Sequence, residues 1–135
     1  MPVIFSLLLL MLAFAIQAEE IPENEVLTLD DPIPGSLYLE FPDADDLLPK
    51  KGDFKVISSL FMSNQLGERW ATLTLLNQSS SQRLLDRHYI VALFADGEKR
   101  HPIDIEHTFY GKEQITLTIN FGKSKFPILR TEVRN

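Results

Sequence analysis

The side chains able to do chemistry in this 135-residue chain are few and scattered. Three histidines, His88, His101 and His107, are the first candidates for holding a metal. His101 and His107 share strand parity with Ile103 and Ile105, so one unbroken strand would point them all to the same side. Such a strand holds the two imidazoles roughly 20 Å apart, at about 3.3 Å per residue. A Zn–N bond is only about 2.0–2.1 Å long, so that pair cannot share an ion. His88 would have to arrive from another strand, together with a further ligand. The sequence therefore predicts rim histidines and no metal site. It points to no cofactor.

Nucleophiles fare no better. Ser58, Ser59, Ser63 and the run Ser79-Ser80-Ser81 sit in neither G-x-S-x-G nor S-x-x-K. The last three belong to a polar loop, where serine is an ordinary turn residue. Asp30-Asp31 and Asp43-Ala44-Asp45-Asp46 could bind calcium or supply glycosidase acids. The second run lacks the glycine and closing glutamate of an EF-hand loop and reads as a solubilising acidic loop. Gly97 and Gly111 are turn glycines, and no glycine-rich phosphate cradle exists. The chain has no cysteine, which excludes a disulfide scaffold, a thiolate zinc site and a cysteine nucleophile. Asn77-Gln78-Ser79 has the N-x-S glycosylation pattern and is read here as a polar turn.

The basic residues are better placed. Lys99, Arg100, Lys123, Lys125, Arg130 and Arg134 gather around one hairpin and the last strand. They suit edge charges that block sheet-to-sheet aggregation, or a face for an anionic partner. The loops Asp96 to Pro102 and Thr108 to Lys112 add a candidate binding set of Lys99, Arg100, His101 and Tyr110.

Whatever does the work must be positioned by one domain, since 44% apolar content and 13 aromatics over this length supply one core. A net charge of −6 argues against nucleic acid as a partner. The charge is unevenly spread. Residues 19–53 hold eleven acidic and two basic residues, whereas residues 54–135 hold eight acidic and eleven basic. Ahead of both, Val3 to Ile16 is apolar except for Ser6. That run is shorter than the roughly 20 residues a spanning helix needs and has the length of a signal-peptide core. Cleavage after Ala18 fits best, with Ala13-Phe14-Ala15 as the alternative, although no Lys or Arg precedes the run. The expected layout is a signal peptide (1–18), an acidic proline-rich segment with edge strands (19–53) and a β-sandwich body (54–135). No transmembrane segment is expected after cleavage. The compartment expected is the bacterial periplasm, with secretion as the alternative, because small secreted eukaryotic domains often carry disulfides.

Strand signals run through the body. Phe54 to Met62 is apolar but imperfectly alternating, while Trp70 to Leu76 and Gln114 to Phe121 alternate cleanly. His88 to Ala95 is apolar on both faces, as in a central strand, and Asp96-Gly97 is a hairpin signal. Ile103 and Ile105 mark a short strand, and Phe126 to Val133 closes the domain. In the acidic segment, Val26 to Leu29 and Leu37 to Phe41 are strand candidates, the latter predicted to dock as an edge while Asp43 to Asp46 stays mobile. Trp70, Leu73, Leu75, Val91, Leu93, Leu117 and Ile119 are the expected core. Seven or eight short strands, with turn signals every 8–12 residues, predict an all-β, antiparallel sandwich.

The run from Trp70-Ala71-Thr72-Leu73-Thr74-Leu75-Leu76-Asn77 through Ile90-Val91-Ala92-Leu93-Phe94 to Ile115-Thr116-Leu117-Thr118-Ile119 resembles an immunoglobulin-like sandwich. The whole layout resembles small bacterial periplasmic proteins of uncharacterised function. Antibody-type domains pair a core tryptophan with an inter-sheet disulfide, a partner Trp70 lacks. The resemblance supplies no catalytic or binding residues, and fold alone does not assign a function. The sequence as a whole reads as a non-enzymatic exported domain that acts by contact with another exported protein, through a sheet edge or a charged face. The alternative is a small-ligand binder or enzyme whose site forms from loops at one end of the sandwich.

Overall fold

The alternation at Trp70–Leu76 and Gln114–Phe121 becomes two ten-residue strands in a computed structural model, which describes residues 19–31 and 47–135. Among these residues the strands are β1 (Thr28–Leu29), β2 (Phe54–Ser63), β3 (Glu68–Asn77), β4 (Arg83–Asp86) and β5 (Val91–Phe94). They continue as β6 (Lys99–Arg100), β7 (Glu106–Phe109), β8 (Gln114–Lys123) and β9 (Ile128–Glu132). Every pairing between them is antiparallel. The chain is all-β. A four-stranded sheet has the order β1-β2-β3-β8, β4 pairs with β7, and a three-stranded sheet has the order β6-β5-β9. The export run, Leu37 to Phe41 and Asp43 to Asp46 lie outside the described residues.

One hydrophobic cluster collects the inner faces of all three sheets. Ala71, Leu73, Leu75, Ile119 and Phe121 come from the large sheet, Leu85 and Phe109 from β4 and β7, and Ala92, Phe94 and Ile128 from β5 and β9. Phe54 joins them, edge-on to Phe109 at 5.2 Å and to Tyr89 at 5.3 Å. Fully burying one such side chain is worth roughly 1.5–3 kcal/mol, which is why these sheets share a core. On the opposite face of the large sheet, threonine hydroxyls pair across strands: Thr72 with Thr118 at 2.9 Å and Thr74 with Thr116 at 2.8 Å. Leu73, Leu75, Val91, Leu93 and Ile119 are buried as expected, but Trp70 and Leu117 are only partly so.

Local chemistry explains where strands stop and start. The β2–β3 turn is tied by Asn64, whose Oδ1 accepts from the Leu66 and Glu68 amides, with Gly67 at φ 79°. Asp96-Gly97 closes the β5–β6 hairpin, where the Phe94 amide donates to the Glu98 carbonyl. The imperfect alternation of β2 is a bulge between Val56 and Ser58, which turns Ile57 outward and returns Phe61 towards the core.

Three expectations need correction. The strand thought to begin at His88 begins at Val91, because the Asp86 carboxylate accepts from the His88 amide and caps a 3-10 turn over Arg87–Tyr89. Ile103 and Ile105 form no strand. Pro102 has no N–H to give a ladder, and the next amide, that of Ile103, donates to the Asn120 carbonyl instead. The closing strand expected from Phe126 to Val133 is β9, Ile128–Glu132, and is shorter at both ends.

Candidate functional site

The four residues proposed for binding do not come together. Arg100 lies at the far end of β8: its guanidinium donates to the Phe121 and Lys123 carbonyls at 3.0 and 2.9 Å. It also forks onto the Glu98 carboxylate and stacks over the Phe94 ring at 4.6 Å. Tyr110 lies just before the opposite end of β8, where its amide donates to Glu113. A ten-residue strand separates these ends by roughly 30 Å. Lys99 pairs with Glu132 at 3.7 Å, and Arg130 donates to the other oxygen of the same carboxylate at 2.9 Å. His101 points its Nδ1 at the Ile90 carbonyl, 2.9 Å away. Arg100 therefore binds its own fold. Arg100→Lys, which loses the planar fork, is expected to lower stability by about 1–3 kcal/mol, readable as a shift in the urea midpoint.

Around Arg100 the turns β2–β3, β5–β6 and β8–β9 enclose a cleft of about 610 Å³. Arg69 is fixed there by bonds to the Ser124 and Lys125 carbonyls. Lys123 and Lys125 project from the same rim, while Asp96 and Glu98 offset part of their charge. This end holds the loops that the ligand-binding alternative needs.

A second groove, of about 700 Å³, opens where β1 ends. Its apolar lining is Leu29, Leu60, Phe61, Pro127, Ile128 and Leu129, and Asp30, Asp31 and Arg69 stand at its polar side. Beside it runs the edge of β2. Strand β1 covers only Met62 and Ser63 of that edge, and the Asp30 amide adds one bond to the Phe61 carbonyl. Among the described residues no strand pairs with β2 from Phe54 to Leu60 on this side. Backbone polarity repeats every second residue, so the Ser59 amide and carbonyl face the same way as those of Phe61, towards the open edge. Ile57 and Leu60 are exposed along it. No sequence motif marks this place. The signal that was present is the broken alternation of β2, which an edge strand with a bulge produces.

No family model, curated protein or solved structure matches this chain.

Two polar arrangements complete the surface. Asn77 is wholly buried; its Nδ2 donates to the Ser81 and Tyr110 carbonyls, and its Oδ1 accepts from the Ser79 amide. Both hydrogens of the nitrogen that a glycan would occupy are therefore committed inside the fold. Gly111 makes that packing possible, since a Cβ there would stand 2.1 Å from the Ser80 carbonyl oxygen. The second arrangement lies ahead of β5, where His88 and His101 meet edge to face at 5.4 Å. Burial raises the pKa of the neighbouring Asp86, but bonds from the His88 amide and ring, with the charges of His88 and Lys50, hold it below the ordinary aspartate value. Among the described residues no three metal-ligating side chains converge, and no helix is long and apolar enough to cross a membrane.

Proposed function

We propose that this protein is a non-enzymatic, exported immunoglobulin-like sandwich that binds an extended segment of another exported protein by β-strand addition along β2. The edge between Phe54 and Leu60, which no strand pairs among the described residues and which lies beside an apolar groove, carries this reading. Strand addition takes its affinity from main-chain bonds and its specificity from pockets for alternate side chains. The outward amide of Ser59 supplies the first, and the groove at Leu60, Phe61 and Ile128 supplies the second. The periplasm is the proposed compartment, reached by removal of residues 1–18.

The basic cleft around Lys123 and Lys125 supports a second reading, an anionic small ligand, and one experiment separates the two. Ser59→Pro removes the outward N–H at an edge, where proline leaves the remaining ladder intact. Wild-type protein is expected to retain a partner from periplasmic extract, identified by mass spectrometry, and Ser59→Pro to lose it. Lys123→Glu combined with Lys125→Glu should retain it. Equal capture by wild type and Ser59→Pro overturns the edge reading.

A further inference from the structure

We propose that His88 and His101 form an open two-histidine site for a borderline divalent cation of the copper(II) and zinc class. The two residues arrive from different places: His88 in the 3-10 turn that Asp86 caps, His101 after β6. Their ring centroids stand 5.4 Å apart. Two imidazoles bound side by side on one ion, at about 2.0–2.1 Å per bond, put their centroids roughly 4.5–5.5 Å apart.

The hydrogen bonds decide which nitrogens are available. His101 Nδ1 faces the Ile90 carbonyl at 2.9 Å, and an oxygen of that kind only accepts, so Nδ1 carries the proton. His88 Nδ1 faces the ionised Asp86 carboxylate at 3.1 Å, and the same logic protonates it. Each ring, in its neutral form, therefore keeps its lone pair on Nε2. A carbonyl or carboxylate fixing the second ring nitrogen is the support that metal-binding histidines ordinarily have. The Asp86 charge also makes the His88 ring a better donor.

The side chain of His88 is 60% exposed, so an ion can reach it from solvent, and water completes the coordination. Imidazole with water suits copper(II) and zinc and disfavours calcium and magnesium. The Lys50 ammonium, seated over the Tyr89 ring at 4.9 Å, is the nearby cation that opposes binding and sets an upper bound on affinity. His107 lies in β7 against Phe109 and takes no part.

Titration of the full chain with copper(II) chloride and with zinc chloride, followed by calorimetry, tests this directly. One equivalent should bind, and copper should show nitrogen hyperfine coupling in its electron paramagnetic resonance spectrum. His88→Ala should weaken binding at least ten-fold. His101→Gln, which retains a donor for Ile90, should do the same, while His107→Ala changes it less than two-fold. Thermal melts establish that each variant is folded; should His101→Gln unfold, the exposed His88→Ala carries the test alone. Absence of binding, or binding that His88→Ala leaves intact, overturns the proposal.

Discussion

Phe94→Ala is expected to lower the unfolding free energy by about 3–5 kcal/mol, the usual cost of emptying a buried phenylalanine site. Domains of this size are stable by roughly 5–15 kcal/mol in all, so this one change removes a large part of the margin. Phe94 has no exposed surface and sits where β5 meets the shared cluster. The ring is also the platform beneath the Arg100 guanidinium. Losing it releases the side chain that ties down the Phe121 and Lys123 carbonyls, so the β8–β9 turn should loosen too. Urea denaturation gives the magnitude. A loss under about 1 kcal/mol would mean that the site collapses around the cavity and that the cluster is less tightly specified than its burial indicates.

Asn77→Leu should cost roughly 3–5 kcal/mol although leucine has nearly the same size. The wholly buried amide satisfies three backbone groups in part-buried bonds, at Ser79, Ser81 and Tyr110. Each group left without a partner costs about 1–3 kcal/mol, and water cannot enter a fully buried position to replace the amide. Asn77→Asp should be at least as damaging, because it keeps the acceptor but sets a carboxylate against two carbonyl oxygens. Hydrogen exchange should quicken at Ser81 and around Tyr110 before the large sheet opens. Wild-type stability in either variant would show that the β3–β4 loop and the β7–β8 turn do not depend on this side chain.

Much of the large sheet was legible because β3 and β8 each bury one face, and a half-buried strand writes a period of two into its sequence. The Asp96-Gly97 hairpin was legible for a different reason: its geometry needs a residue at positive φ, which Gly97 adopts at 89°. Strand β4 was not legible. It has four residues, of which Leu85 is buried and its neighbour Leu84 is exposed, and one inward side chain sets no period. The structural role of Arg100 was not legible because two of the groups that hold it, beside Glu98 and Phe94, are the main-chain carbonyls of Phe121 and Lys123, which no pattern marks. His88 and His101 lie thirteen positions apart, and their meeting depends on the cap at Asp86 and the path of the β5–β6 hairpin. Asn77 read as a turn residue because its type is common in turns; its burial follows from Gly111 drawing the Ser80 backbone close.

The order of strands in the large sheet also governs how quickly this chain can fold. Strands β2 and β3 are joined by the short Asn64–Gly67 turn and can pair within about 1–10 μs, as hairpins do. The other neighbour of β3 is β8, which pairs Gln114 with Leu76 only after the chain from Gln78 to Glu113 has been looped out. Closing a loop of about 36 residues costs roughly 3 kcal/mol in chain entropy before any contact across it is gained. Everything from β4 to β7 lies inside that loop. The two smaller sheets therefore condense together with the closure, and folding is expected in the millisecond-to-second range of non-local β topologies. Until closure, the β2–β3 hairpin lacks β8 on one side and has no assembled core to rest on. A chain on its way to the native state passes through that interval with the edge proposed here as a docking strand already formed and not yet backed by the rest of the domain.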